Sequence, residues 1–172
     1  KLDLKINPFI NSDKIIKMCI KYDFHQFIIG SHSKKRPNNI VIGRIYNGEI
    51  LDMYEFGLKN YIPIHNNNRN LCEIGQKSCH FFAGHEFQYD PNYIAIKNIF
   101  VGNEYLNLTL DLWAPVSCKN IILSNLKHSS LYSVDSINNL INMRGYKIIS
   151  DEAMNNHESN TSFECIGPCV DF

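Results

Sequence analysis

The side chains best suited to binding an anion lie together in one short segment of the chain. Three consecutive cations, Lys34, Lys35 and Arg36, precede Pro37. Proline fixes its own φ and disfavours helix at the preceding residue, so we expect the segment to be extended. Adjacent like charges repel one another, and an anion opposite them offsets this repulsion. Neutral hydrogen-bonding side chains of the kind that contact phosphate and sugar oxygens flank the cations: Ser31, Ser33, Asn38 and Asn39.

Arg44, a little further along the chain, can extend this set of cations. The chain as a whole is neutral, with 17 basic and 17 acidic side chains. There is no global field to attract a polyanion, so any affinity for nucleic acid must come from a local cluster. Judged by charge alone, a solvated run on a loop is the commoner interpretation, and a phosphate-binding loop is the alternative.

The cysteines and histidines form no pattern that indicates catalysis or metal binding. No nucleophile motif frames any of the six cysteines, so a Cys–His nucleophile pair has no support. Neither Cys72 with Cys79 and His80 nor Cys165 with Cys169 has the paired spacing of a structural zinc site. We therefore predict no catalytic residue, no metal and no cofactor.

The proportions of residue types are those of a folded domain. Hydrophobic residues make up 44% of the chain and charged residues 20%, which is typical of globular proteins. No uninterrupted apolar stretch approaches the roughly 18 residues of a membrane span, so we predict no contact with a membrane. A chain of 172 residues can bury a core without disulfides, and we expect its cysteines to be reduced.

A helix and a strand are predicted before the basic segment. Ser12 is a plausible N-cap, Asp13 favours the first turn, and apolar residues then repeat at helical spacing to about Asp23. The apolar run over residues 27–29 indicates a buried strand, and residues 30–39 are predicted to form a loop.

A β-hairpin is predicted directly after that loop. Two strand-like segments, residues 40–46 and 49–56, flank Asn47-Gly48. Asn-Gly adopts positive φ values at little cost and is the preferred two-residue type I′ turn. The cations would therefore lie at the connection between two strands of one sheet.

The second part of the chain follows a polar connection over residues 60–77. Asp90 and Pro91 are predicted to open a helix that runs to about Val101. A short helix after Asp135-Ser136 is predicted to end at Gly145. Four strands are predicted around these helices: residues 80–83, 118–126, 146–149 and 163–166.

A polar loop over residues 151–161 precedes the last of these strands, and Gly167-Pro168 is expected to break it. The order of helices and strands favours a mixed α/β domain.

The sequence around the basic segment resembles the Brix-domain family. Residues 27–44, FIIGSHSKKRPNNIVIGR, look like a signature block of that family, and residues 51–57, LDMYEFG, are similar to its LDM-x-E-x-G pattern. Weaker similarities follow in the same order as in the family: residues 7–9, 82–87, 93–100, 164–168 and 171–172. The resemblance covers most of the chain and is most specific over residues 30–57.

This resemblance implies one Brix domain over residues 1–172, with two similar α/β halves akin to anticodon-binding domains. They would form a curved, partly closed mixed sheet flanked by helices, with halves at about residues 1–66 and 77–172. The family's N-terminal region and basic C-terminal segment are expected to be absent from this chain. Cys169 stands where the family usually has Arg or Ser.

The resemblance also implies a non-catalytic ribosome-assembly protein of the nucleolus. Such a protein would pair with the regulator of ribosome synthesis. Together they would load 5S rRNA and its two ribosomal proteins onto the pre-60S large subunit, with contacts to large-subunit rRNA as a further possibility. RNA contact is predicted for these residues: Ser31, Ser33, Lys34, Lys35, Arg36, Asn38, Asn39 and Arg44. The alternative is a protein-binding scaffold of the pre-60S particle that does not touch 5S rRNA.

Overall fold

A computed structural model describes residues 6–64, 78–101, 108–111, 126–151 and 160–172. Within these ranges the elements are α1 (Ser12–Tyr22), β1 (Gln26–Ser31), β2 (Asn39–Tyr46), β3 (Glu49–Gly57), β4 (Asn60–Ile62), β5 (Ser78–Ala83), α2 (Glu86–Tyr89), α3 (Pro91–Val101), β6 (Leu108–Asp111), β7 (His128–Asp135), β8 (Leu140–Asp151) and β9 (Asn160–Asp171). The predicted mixed α/β fold is confirmed. None of the described helices is long and apolar enough to cross a membrane.

The described strands form two sheets. One has the order β1-β2-β3 and the other the order β4-β9-β8-β7-β5-β6. Neither sheet closes on itself through these strands, so the partly closed sheet is not confirmed. The chain divides into two compact units, Lys1–Leu58 with Asn98–Asn103, and Lys59–Lys97 with Glu104–Phe172. The two similar family-type halves, with their boundary near residues 66–77, stay a prediction.

In the first unit, α1 packs on one face of the three-stranded sheet. Ile15 and Cys19 lie one turn apart on the helix, so both face the sheet and are buried. They pack against three buried apolar residues of β1 and β2: Phe27, Val41 and Ile45. The Phe27 ring lies over Gly43, where an added Cβ would stand 2.3 Å from the ring. Glycine at this position therefore makes room for the aromatic core.

The other face of this sheet packs against the end of α3, whose residues from Asn98 belong to the same unit. The Phe56 and Phe100 rings stack with centroids 5.5 Å apart. Gln26 Nε2 donates a hydrogen bond of 2.7 Å to the carbonyl oxygen of Ile99, which is buried. A helix thus packs against part of each face of the sheet.

The hairpin between β2 and β3 has the turn that its sequence predicts. Asn47 has φ 51° and Gly48 has φ 79°. These two residues connect Tyr46 to its pairing partner Glu49. Positive φ at both central residues is the mark of a type I′ turn, so this prediction is confirmed.

In the second unit, β5 runs parallel to β6 and β7, whereas the other strand pairs are antiparallel. Phe82 is at the centre of the core. Its ring stacks on Tyr132 at 4.8 Å and meets the edge of Phe87 at 5.0 Å. The predicted strand at residues 80–83 and the predicted helix from Pro91 to Val101 are both confirmed.

The short helix predicted after Asp135 is wrong, because this segment is the turn between β7 and β8. Asp135 Oδ1 accepts hydrogen bonds from the backbone N–H groups of Ile137 and Asn138, and Asn139 has φ 53°. An aspartate that bonds the backbone in this way favours a turn over a helix. Gly145 ends no helix and pairs with Ser130 inside the sheet.

The expected break of the last strand at Gly167-Pro168 is also wrong, because β9 continues to Asp171. It pairs with β8 before and after this dipeptide, and a register shift between Arg144 and Tyr146 accommodates it. An added Cβ at Gly145 would stand 2.2 Å from the Gly167 carbonyl oxygen. The close approach of the two strands therefore requires glycine at position 145.

Other differences from the sequence predictions are local. Asn11, not Ser12, is the N-cap of α1, and it makes no side-chain capping bond. The polar connection begins with the short strand β4, and α2 was not predicted. The strand predicted over residues 118–126 and the loop predicted over residues 151–161 fall almost wholly outside the described residues.

Candidate nucleic-acid interface

All of the predicted anion-binding residues except Arg44 lie in or next to the loop between β1 and β2, here called the basic loop (residues 32–38). Ser33 and Arg36 hold its centre, because the Ser33 N–H donates to the Arg36 carbonyl at 3.0 Å and the Arg36 N–H donates to Ser33 Oγ at 3.1 Å. Asn38 has φ 48°, and its N–H donates to His32 Nδ1 at 3.2 Å. The loop is therefore a compact turn and not the extended segment that Pro37 led us to expect.

Lys34 and Lys35 project from this turn and are exposed. Neither forms an ion pair or a side-chain hydrogen bond with any residue that the structure describes. Neither charge is therefore paired within the part of the fold that the structure describes. Both ammonium groups are free to approach an anionic ligand.

Arg36 differs from the two lysines because it has a carboxylate partner. Its Nη1 donates to both oxygens of Glu55, at 2.7 Å and 2.6 Å, and its side chain is 66% exposed. Exposed ion pairs are worth only about 0–1 kcal/mol. A phosphate group can therefore compete with Glu55 for this guanidinium.

Asn39 and Ser31 connect the basic loop to the sheet. Asn39 is buried, and its Nδ2 donates to Ser31 Oγ at 3.2 Å and to Glu55 Oε1 at 2.8 Å. The strand register places Asn39 opposite Ser31 on one side and diagonally next to Glu55 on the other. In this geometry the Asn39 amide holds the loop in place and is not presented to a ligand.

Arg44 lies away from the basic loop. It is five residues beyond Asn39 in β2, or about 17 Å along the strand. Its Nε donates to Asp52 Oδ1 at 2.9 Å, its Nη2 pairs with Asp52 Oδ2, and its Nη1 donates to the Asn98 carbonyl at 3.3 Å. The hydrogen bond to Asp52 raises the pKa of Arg44, although burial opposes this effect. The structure does not bring Arg44 together with the other predicted contacts.

The cysteines within the described ranges are free thiols. Cys19 and Cys79 are buried, and burial raises the pKa of Cys79 to about 11, which disfavours a nucleophilic thiolate. Cys165 Sγ and Cys169 Sγ are 3.6 Å apart, longer than the roughly 2.05 Å of a disulfide. No group of three or more metal-ligating side chains occurs in this part of the chain. The absence of catalysis and of metal stays a prediction.

Sequence reasoning missed two features that the structure makes visible. Arg144 and Asp171 form an ion pair of 2.6 Å between β8 and β9, and Asn60 Nδ2 donates to the second oxygen of that carboxylate. This network could be predicted only from the pairing of the strands, because no local sequence pattern indicates it. The second feature is the exposed face of α1, with Lys14 and Lys17, whose helical spacing could have been recognised in the sequence.

Comparisons with known proteins place the chain in a family. The Brix domain model matches residues 1–172. The Ribosome production factor 2 homolog of Homo sapiens is 31% identical over 142 residues, which cover 83% of this chain and 43% of that protein. The protein of the same name in Drosophila melanogaster is 29% identical over 167 residues, covering 97% of this chain and 49% of that protein.

The similarity also extends to a nematode. The Ribosome production factor 2 homolog of Caenorhabditis elegans is 35% identical over 104 residues, covering 59% of this chain and 35% of that protein. The chain thus spans less than half the length of each of these relatives. The match to the family model over the whole chain confirms the resemblance seen in the basic loop and its hairpin, and the chain belongs to the Brix domain family.

Proposed function

We propose that this chain is a non-catalytic ribosome-biogenesis factor that contacts rRNA through the basic loop. The observation that carries the proposal is the pair Lys34 and Lys35, two adjacent exposed cations on a turn that the sheet holds rigidly. An anion bound nearby offsets the repulsion between these neighbouring cations. The phosphate backbone of RNA offers repeated anions at close spacing.

The other predicted contact residues differ in how directly they would bind RNA in this proposal. Arg36 joins the two lysines when a phosphate replaces Glu55, and Ser33 and Asn38 are exposed near the cations. Ser31 and Asn39 act as supports, because their side chains bond to each other and, through Asn39, to Glu55. Arg44 stabilises the hairpin through Asp52 and contributes little to RNA contact.

The proposed RNA is 5S rRNA, and the proposed process is its delivery to the pre-60S large subunit in the nucleolus. The partners would be the regulator of ribosome synthesis and the two 5S-binding ribosomal proteins. Membership in the Brix domain family and the similarity to proteins named Ribosome production factor 2 homolog support this proposal. Contact with neighbouring large-subunit rRNA is part of the same hypothesis.

A second candidate function is a protein-binding scaffold in which the basic loop does not touch RNA. The observation that favours it is the pair of edge strands β1 and β3, since within the described strands each pairs only with β2. An edge strand has backbone groups that a strand of another chain can pair with. Ile28 on β1 is 63% exposed and would be covered by such a partner.

The double variant Lys34→Ala/Lys35→Ala tests the first function. Removing one cation from a phosphate should flatten the log–log dependence of affinity on salt by roughly 0.7–0.9, so we expect a change of about 1.5 for both. A matched control, Lys59→Ala/Lys127→Ala, removes two exposed lysines of the second unit and should leave the slope unchanged. Fluorescence anisotropy with labelled 5S rRNA over a salt series measures both slopes.

Two results would decide between the functions. If the Lys34/Lys35 variant binds 5S rRNA with the affinity and slope of the unmodified chain, the RNA role of the loop is wrong. If that variant instead loses only the regulator of ribosome synthesis in a pull-down, the scaffold function is favoured. Competition by large-subunit rRNA fragments shows which RNA is bound more tightly.

A further inference from the structure

The outer face of α1 carries a second set of cations, here called the lysine stripe: Lys14, Lys17 and Lys21. At 3.6 residues per turn, these three positions fall within about 60° of one another around the helix. All three side chains are exposed, and none forms an ion pair with a residue in the described ranges. Asp13 is the one acidic residue of α1, and it lies in the first turn, where a carboxylate stabilises the helix.

Two exposed aromatic rings, the aromatic pair Tyr22 and Phe24, follow the lysine stripe. Their centroids are 6.0 Å apart and their planes differ by 26°, while Lys21 Nζ lies 5.2 Å from the centre of the Tyr22 ring. Tyr22 is 46% exposed and Phe24 is 58% exposed. Large rings in such positions leave apolar surface in contact with water.

The end of α1 holds the aromatic pair in a defined position. Asp23 has φ 56°, its N–H donates to the Ile20 carbonyl at 3.3 Å, and the Phe24 N–H donates to the Cys19 carbonyl at 2.8 Å. These two bonds are those of a Schellman motif, in which the second residue after the helix usually packs back onto it. Here that residue, Phe24, stays largely exposed beside Tyr22. The motif fixes a surface aromatic residue that the core does not use.

The side chain that anchors the basic loop and the helix that carries the lysine stripe lie on the same face of the three-stranded sheet. Asn39, which anchors the loop, shares a face of β2 with Val41, because side chains alternate along a strand, and Val41 packs beneath α1. An added Cβ at Gly48 would contact Ile20, so the end of α1 lies beside the hairpin turn. Lys14 is therefore the lysine of the stripe nearest the end of the sheet that carries the basic loop.

We propose that the lysine stripe and the aromatic pair form a second RNA-contacting surface that takes a single-stranded segment. Single-stranded nucleic acid is bound by cations that follow the backbone together with aromatic rings on which unpaired bases stack. Lys14 and Lys21 are about 10 Å apart along the helix, which is long enough for the stripe to lie beside more than one backbone phosphate. The bases of a duplex are stacked on one another and cannot reach Tyr22 or Phe24.

This inference rests on the proposed function in taking RNA as the ligand, but it uses a different element. Two other ligands each account for only part of this surface. An apolar protein segment would explain the exposed aromatic pair but not the three lysines. An acidic peptide would explain the lysines but not the stacked rings. Asp23 opposes RNA binding by its charge, and its position between the two aromatic residues makes it a useful probe. Asparagine tolerates a positive φ as aspartate does, so Asp23→Asn removes this charge without disturbing the Schellman motif.

Three variants of the 172-residue chain test the surface, each measured with a single-stranded oligonucleotide and with a duplex RNA of equal length. The first, Lys14→Ala/Lys17→Ala/Lys21→Ala, keeps good helix formers in α1 and should flatten the salt slope by about two. The second, Tyr22→Ala/Phe24→Ala, should weaken single-strand binding roughly tenfold or more without changing the slope. Neither should change duplex affinity as much. Asp23→Asn should bind the single strand more tightly.

The triple lysine-to-arginine variant of the same positions is the matched control and should keep the salt slope. Single-strand affinity equal to that of the unmodified chain in the aromatic variant would overturn the inference. So would a duplex that binds as tightly as the single strand, or a loss confined to capture of the regulator of ribosome synthesis. If the Lys34/Lys35 variant loses RNA while the triple lysine-to-alanine variant and the aromatic variant keep it, this inference fails and the proposed function stands. The reverse pattern supports the α1 surface and removes the role of the basic loop.

Discussion

The two ends of the three-stranded sheet use cationic side chains in opposite ways. At one end Lys34 and Lys35 extend from a turn and meet no carboxylate among the described residues. At the hairpin end Arg44 stands directly opposite Asp52, and its side chain is only 13% exposed. These cations are close in sequence, but their burial and their position in the strand register give them different roles. A cation facing a carboxylate across two strands stabilises the fold, and a cation without such a partner is available for binding.

The largest effect that this comparison predicts is on stability at the hairpin end. Arg44→Ala leaves Asp52 partly buried without its partner, and removing one member of a buried ion pair costs about 3–5 kcal/mol. Because neither side chain is fully buried, we expect about 3 kcal/mol, seen as a lower urea midpoint with an unchanged m-value. The double variant Arg44→Leu/Asp52→Leu should recover much of the stability, since it leaves no unpaired charge.

RNA binding by the folded Arg44→Ala protein sharpens this prediction. The salt slope should match that of the unmodified chain, because Arg44 is already neutralised by Asp52. A slope flattened by about 0.7–0.9 would mean that Arg44 contacts a phosphate after all, and the contrast between the two ends would disappear.

A smaller effect is expected for Asn39, which connects the basic loop to the sheet. Asn39→Ala removes the hydrogen bonds to Ser31 and to the Glu55 carboxylate, and a bond to a charged group contributes about 1.5–3 kcal/mol. We expect the free energy of unfolding to fall by about 2 kcal/mol, measured by denaturant titration. RNA affinity should fall as the loop loosens, with the salt slope unchanged because no charge is removed.

Asn38→Gly is the matched control for Asn39. Asn38 is exposed and has φ 48°, a value that glycine adopts without strain. This substitution should cost less than half as much stability as Asn39→Ala. If the two variants are equally stable, the buried amide does not anchor the loop.

The elements that sequence predicted correctly have local signals. Asn47-Gly48 determines its own turn, and Ile15 and Cys19 repeat at the helical period. The segment after Asp135 has an apolar spacing that also suits a helix. It forms a turn because the Asp135 side chain accepts hydrogen bonds from the backbone that follows it. Continuation of β9 through Pro168 depends on pairing with strands distant in sequence, which no local pattern shows.

The candidate site divides in the same way. The charge and exposure of Lys34 and Lys35 follow from composition and from the loop that Pro37 marks. The pairing of Arg44 with Asp52 depends on hairpin register, and the pairing of Arg36 with Glu55 on the conformation of the loop. Residue type alone therefore could not separate the cations that are available from those that the fold uses.

The smallest expected effect comes from Glu55, whose charge pairs with Arg36 and so decides whether that cation serves the fold or is available for binding. Glu55→Gln keeps a carbonyl oxygen that can accept from Asn39 Nδ2, so the anchor of the loop survives. It removes the negative charge that holds Arg36, and the guanidinium becomes available to a phosphate. An exposed pair contributes about 0–1 kcal/mol, so the free energy of unfolding should change by less than about 1 kcal/mol. RNA affinity should rise at low salt, and the salt slope should steepen by up to roughly 0.7–0.9.

In an Arg36→Ala background the steepening caused by Glu55→Gln should vanish, because the cation that Glu55 pairs with is no longer there. If steepening persists in that background, Glu55 acts by general repulsion of the RNA, and Arg36 belongs with Arg44 among the cations that serve the fold.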